Sequence, residues 1–360
     1  MTYISIDLHQ LVFDLLNFPS QIKYICISSY ISDYVHITNL YDIDYIYLHK
    51  LNNNIIAQKK FHQVTSLNIY HSGITEIGNL PYLKKLSYNL NCITQKDIVN
   101  LDLIELRAEG GNIININHMK SLKILHAMYF CGIDQDGIKD LDLIELRANN
   151  NACINNVNHM KNLKILYATG NSGIDDYGIK DLDLIELYVC GNMKIKNINH
   201  MKNLKILYAR NHSGIDQTAI KDLDLIELYV SNNIHITSVN HMKNLKILCA
   251  SGISAINQAG IKDLDLIKLR ANYNSNITNV NHMSSLKILH AVHSCGINQA
   301  GINNVDLIEL DASDNPHITN VNHMKSLKKL CIYRKSSIGP DGINNLNLIS
   351  LHKNNNFVCD

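Results

Sequence analysis

Along most of the chain, apolar positions recur in two interleaved patterns. LDLIEL or a close variant begins at Leu101, Leu141, Leu182, Leu223, Leu264, Val305 and Leu346, first 40 and then always 41 residues apart. LKIL or a variant begins at Leu122, Leu163, Leu204, Leu245, Leu286 and Leu327, again 41 apart, so each unit is two repeats of 20 and 21 residues. In one of them Leu187 and Val189 alternate with Glu186, Tyr188 and Cys190. A period of two predicts a strand with one buried face. The residues that follow keep Ile195, Ile198 and Met201 three apart, a spacing that predicts tight 3-10 turns. Upstream the pattern persists as Ile43-Ile46-Leu48, Val64-Leu67-Ile69 and Leu83-Leu86, giving 16 expected strands between Ile43 and Leu351.

Repeats of this length stack neighbour on neighbour, because one unit cannot bury its apolar face alone. Aligned from Leu184, a repeat reads LIELYVCGNMKIKNINHM, which resembles the leucine-rich-repeat consensus LxxLxLxxN. The resemblance implies an α/β leucine-rich-repeat solenoid. A curved parallel β-sheet would form the concave face, with short helices and 3-10 turns on the convex face. The recurring Asn151, Asn192, Asn233, Asn274, Asn315 and Asn356 then look like an internal amide ladder that satisfies backbone groups where the chain leaves each strand. The segment from Gly132 to Leu141 is similar to the helical stretch of repeats in many F-box proteins, with Asp134 placed to cap a short helix.

Residues 1–42 do not repeat. Leu8, Leu11, Val12, Leu15 and Leu16 fall on one helical face. A break at Asn17-Phe18-Pro19-Ser20 and a second helix through Ile22, Ile25 and Cys26 are expected. This segment reads either as a small helical N-terminal cap, since a terminal repeat otherwise opens an apolar layer to water, or as a divergent F-box. The whole arrangement resembles the F-box/leucine-rich-repeat proteins of giant viruses. That resemblance implies a substrate receptor of an SCF-type ubiquitin ligase, with Leu11 and Leu15 contacting a Skp1-type adaptor. The alternative is a structural or decoy leucine-rich-repeat binding protein with no ubiquitin role. The expected organisation is 1–42 cap or F-box, 43–353 solenoid of about 16 repeats of 19–21 residues, and 354–360 tail.

Composition narrows the chemistry. Lys plus Arg is 33 against 32 Asp plus Glu, so no long-range field draws nucleic acid or acidic lipid. Apolar residues are 46% with 5 Phe and no Trp, which suits layers of Leu and Ile. No stretch approaches the roughly 20 apolar residues of a membrane span, and the start lacks a basic, apolar leader. An intracellular protein of the host cytoplasm is expected. Nine cysteines without a CxxC pair predict free thiols in a reducing compartment. No cofactor loop, zinc-protease motif or nucleophile elbow occurs in a usable context, so an enzyme is not expected and no cofactor is implied. His118, His159, His200, His241, His282 and His323 lie two strands apart, about 10 Å, too far for two of them to share a zinc. They are expected to bond the convex backbone or stand exposed.

Function is therefore expected on the concave face, as a non-catalytic scaffold for a protein partner. One row of that face reads Glu105, Glu145, Glu186, Glu227, Lys268 and Glu309, alternating with Ile124, Ile165, Ile206, Ile247 and Ile288. Glu105 and Glu145 precede Arg107 and Arg147 by two residues, expected as exposed pairs worth at most about 1 kcal/mol. The next row reads Arg107, His126, Arg147, Tyr167, Tyr188, Tyr208, Tyr229, Cys249, Arg270, His290 and Asp311. Four consecutive tyrosines make it the candidate contact, with Arg107, Arg147, Arg270, Glu186 and Glu227 around them, because Tyr joins a rigid apolar ring to a hydroxyl. The alternative is that duplication copied the tyrosines, since HMKNLKILYA recurs at His159 and His200.

Overall fold

The computed structural model describes residues 9–10, 13–14, 16–25, 35–41, 43, 45–89, 93–353 and 356–358. Alternation of Leu with polar residues produces seventeen short strands among these residues. They fall into two units, one of residues 1–166 with 171–173, the other of 167–170 with 174–360. In the first, β1 (Asn39–Leu40), β2 (Ser66–Asn68), β3 (Lys85–Asn89), β4 (Glu105–Glu109), β5 (Ile124–Met128) and β6 (Glu145–Arg147) pair in parallel, each with the next. β7 (Ile165–Tyr167) contributes to both units.

In the second unit β8 (Glu186–Tyr188), β9 (Ile206–Tyr208), β10 (Glu227–Tyr229), β11 (Ile247–Cys249), β12 (Lys268–Arg270), β13 (Ile288–His290), β14 (Glu309–Asp311), β15 (Lys329–Ile332) and β16 (Ser350–Lys353) continue the parallel pairing. β17 (Asn356–Val358) adds an antiparallel strand to β16. Register keeps the leucines level, as in Leu187, Leu207, Leu228, Leu248 and Leu269. Each is fully buried, as are Ile195, Ile198 and Met201 behind the strand. The architecture is a leucine-rich-repeat solenoid, with layers of Leu, Ile and Met in place of one closed core.

The convex side carries one-turn helices at Gln135–Ile138 and Asp176–Ile179, and 3-10 turns at Thr218–Ile220, Gln258–Ile261, Gln299–Ile302 and Pro340–Gly342. Asp134 caps the first through a bond from Gly137 N at 2.9 Å, and Asp175 the second through Gly178 N at 3.0 Å. Gly137 is required there, since a Cβ would lie 1.9 Å from the Ile114 carbonyl oxygen.

Three expectations are corrected. The first strand is Asn39–Leu40, ahead of Ile43, and Tyr45–Leu48 is a helical turn. Extrapolating a 21-residue repeat back from Leu67 selects Ile46, but Leu67 is in register with Leu40. The longer spacing is taken up by helical turns at Tyr45–Leu48 and Asn53–Ile56. The expected break at Asn17–Ser20 lies largely within a helix, Phe18–Ile25. Asn17 begins it by accepting from Ser20 N at 3.1 Å, and Pro19 fits the first turn, where its missing N–H costs nothing. Asn356, expected in the ladder, belongs to β17.

Candidate binding face

A rigid skeleton holds the strands in place. Asn233, fully buried, donates to the Ala209 and Ile215 carbonyls at 3.1 and 3.0 Å, and its own oxygen accepts from His235 N at 2.8 Å. Asn151, Asn192, Asn274 and Asn315 repeat the pattern. Each amide joins two backbone carbonyls that no strand can reach. The histidine row is a second tie. Nε2 of His118, His159, His200, His241, His282 and His323 lies 2.9–3.2 Å from an isoleucine carbonyl of the preceding repeat. A carbonyl partner requires that nitrogen to donate. Among the described residues no group of three His, Cys, Asp or Glu is placed to hold a metal ion.

On the solvent side of the sheet, the glutamate row works by one rule. Each glutamate accepts from a donor in the next row. Arg107 Nε donates to Glu105 at 2.8 Å and Arg147 Nε to Glu145 at 2.7 Å. Tyr188 and Tyr229 donate their hydroxyls to Glu186 and Glu227, both at 2.8 Å. At Glu309 the residue two positions on is Asp311, which has no proton to give, and His290 of the neighbouring strand lies 3.2 Å away instead. The expectation of an exposed pair is wrong at Glu105, which is only 5% exposed. It accepts from the Tyr41 hydroxyl at 3.2 Å and pairs with Lys85 at 3.4 Å as well as with Arg107. Burial pushes its carboxyl up, but Arg107 and Lys85 outweigh that and hold it below the usual range. Tyr41 is pushed up to about 12 by burial and then by Glu105. His126, buried beside two arginines, is pushed down to about 4, first by burial and then by Arg147 and Arg107.

The four tyrosines form a stack. Ring centroids of Tyr167 and Tyr188 are 3.8 Å apart, of Tyr188 and Tyr208 4.5 Å, and of Tyr208 and Tyr229 3.9 Å, with planes within 21° of parallel. Parallel strands at about 4.8 Å impose this, since equal side chains in register have nowhere to go but face to face. Arg210 lies over Tyr208 and Tyr229, 5.4 and 5.1 Å from their centroids. Burial raises Tyr188 and Tyr229 well above the phenol range, helped by hydrogen bonds to Tyr167 and Glu186 in one case and to Tyr208 and Glu227 in the other. The four tyrosines are half-buried.

Thus Tyr167, Tyr188, Tyr208, Tyr229, Glu186 and Glu227 come together in the second unit, while Arg107 and Arg147 are engaged in the first. Arg270 stands at the same row position with Lys268 where the others have glutamate. Leu11 and Leu15 lie outside the described residues. Sequence reasoning missed the Tyr41 and Lys85 contacts to the buried Glu105. No helix among the described residues is long and apolar enough to cross a membrane.

No family model matches the chain, and no curated protein matches it. Solved structures with similar architecture include a chain of the TLR13–ssRNA13 complex, at 17% identity and TM-score 0.48, covering 89% of this chain and 55% of that one. A chain of the yeast Rad7 and Elc1 complex follows at 12% identity and TM-score 0.42, covering 96% and 92%. A leucine-rich-repeat protein of Leptospira interrogans has 14% identity and TM-score 0.36, covering 92% and 98%. The chain spans about half the length of the first. All three TM-scores are below 0.5, and the fold assignment rests on strand pairing and burial.

Proposed function

We propose that this chain is a protein-binding scaffold whose contact surface is the solvent-facing side of its sheet, centred on Tyr167, Tyr188, Tyr208 and Tyr229. The observation that carries the reading is the stack itself: four rings held 3.8–4.5 Å apart in one row of the sheet. Stacked rings on register-locked strands have little rotamer freedom left to lose, so a partner meets a pre-organised surface. Glu186, Glu227 and Arg270 belong to the same contact, and Arg107 and Arg147 to an outlying part of it.

The test is the double variant Tyr188→Ala with Tyr208→Ala. Capture of a native partner is expected to weaken by at least about 2 kcal/mol. Because the rings are stacked, thermal stability should also fall, by about 1–3 kcal/mol for three ring contacts, so capture is compared at a temperature where both proteins are folded. Unchanged capture by the folded variant moves the contact elsewhere. The substrate-receptor form of this reading adds a Skp1-type adaptor at Leu11 and Leu15, and it is supported by the sequence resemblance and by the apolar spacing of residues 8–16. Copurification with such an adaptor, lost in Leu11→Ala with Leu15→Ala, tests it. Failure of the wild type to capture the adaptor favours the role without ubiquitin.

A further inference from the structure

Three arginines occupy the same position in the row after the glutamates: Arg107, Arg147 and Arg270. In the first two, the residue two positions earlier is glutamate, and its oxygen sits 2.8 and 2.7 Å from the arginine Nε. In the third it is Lys268, and the Nε of Arg270 is buried with no hydrogen-bond partner. A buried guanidinium N–H without an acceptor is costly, and replacing the acceptor by a second cation makes the spot more positive.

The two strands beside β12 add no carboxylate in either row. Lys268 is flanked in register by Ile247 and Ile288, and Arg270 by Cys249 and His290. The nearest carboxylates of the two rows, Glu227, Glu309 and Asp311, stand two strands away, about 10 Å. Glu227 and Glu309 are already engaged by Tyr229 and His290, and Asp311 accepts from Ser313 N at 3.1 Å. His290 is itself held below its usual range, by burial first and Arg270 second, against the opposing pull of Asp311 and Glu309, which leaves Lys268 and Arg270 as the adjoining cations of the two rows. The spot therefore has donors, two apolar walls and two positive charges, with the anion missing that its sister repeats supply.

We infer that Lys268 and Arg270 form a receptor for a carboxylate of a protein partner, which takes the place that Glu105 and Glu145 fill beside Arg107 and Arg147. The carboxylate accepts from the guanidinium of Arg270, with Lys268 providing a second charge-assisted contact. This rests on the reading that the sheet face binds a protein, and it names the chemistry of one anchor: an Asp or Glu side chain.

The site can be probed without the partner. Sodium acetate is titrated into the full chain against sodium chloride at equal ionic strength, following the arginine Nε–H resonances by NMR. Arg270 should move saturably with acetate, while Arg147, which already holds a carboxylate, stays still. Lys268→Glu supplies the missing carboxylate from within. It should bring the Arg270 resonance close to that of Arg147 and weaken acetate binding at least tenfold. The variant is expected to fold, since four other repeats carry Glu at this position beside Arg or Tyr. An Arg270 resonance that acetate leaves unmoved, or moves no more than chloride, overturns the proposal. A response to inorganic phosphate with none to acetate overturns the carboxylate assignment. Acetate binding with unchanged capture by Tyr188→Ala/Tyr208→Ala keeps this site and removes the tyrosine contact.

Discussion

The sheet face at β4–β6 and the sheet face at β8–β10 use the same glutamate position in opposite ways. At Glu105 and Glu145 the partner is an arginine, and at Glu105 a tyrosine and a lysine complete a network around a buried carboxylate. At Glu186 and Glu227 the partner is a tyrosine hydroxyl, and the rings stack on one another. The backbone is the same in both, and so are the leucines beneath. The difference teaches that a repeat scaffold separates two tasks: inward positions fix the fold, while the outward row can be changed from ionic to aromatic without disturbing it.

That separation can be broken most severely through the shared skeleton. Asn151→Ala in the ionic region leaves two carbonyls and one N–H unsatisfied, and Asn233→Ala in the aromatic one two carbonyls and two N–H groups, the second a longer bond at 3.2 Å, at a cost of about 4 kcal/mol each. Denaturant unfolding followed by circular dichroism should show similar losses. A gap of more than about 2 kcal/mol between them would mean that the outward rows do govern local stability.

Acid should separate the two regions next. His126 has no counterpart among the tyrosines, and its pKa is about 4 in the folded chain against about 6.5 when unfolded. The unfolded chain takes up the proton first, so the stability from keeping His126 neutral is complete above pH 6.5 and is lost as pH falls toward 4. The loss should reach about 3 kcal/mol. His126→Gln should flatten that limb of the stability profile, and persistence of the limb would place its origin elsewhere.

A smaller contrast lies in the glutamates. Glu105→Ala removes a buried acceptor shared by Arg107, Lys85 and Tyr41 and should cost about 2 kcal/mol, whereas Glu186→Ala removes one hydroxyl acceptor at a more open position and should cost about 1 kcal/mol. Equal costs in thermal melting would contradict the different burial of the two.

The least effect is a rate. Cys131 and Cys295 occupy equivalent positions in the two units, and burial pushes both thiols up to about 11. Both should alkylate far more slowly at neutral pH than the exposed Cys153. Mass spectrometry over time measures this, and a fast Cys295 would show local opening in the second unit alone.

Much of this was legible in the residues. Leucine spacing determined the strands from Leu67 onward, the inward and outward faces, the asparagine ladder up to Asn315 and the row of tyrosines, because a period of two on stacked parallel strands leaves one arrangement for each position. Where the period lapses, so did the inference: Leu40 took the place expected near Ile46, since a longer repeat gives a pattern no anchor. What only the tertiary structure decided is partnership across strands. Tyr41 reaches Glu105 from 64 positions away, and the rings pair face to face. Arg270 is left with a bare Nε because the acceptor its sister repeats supply is a lysine there and no neighbouring strand replaces it. Spacing along the chain fixes which face a side chain joins, but the distance between two side chains is set by the strands between them, and that is a property of the fold.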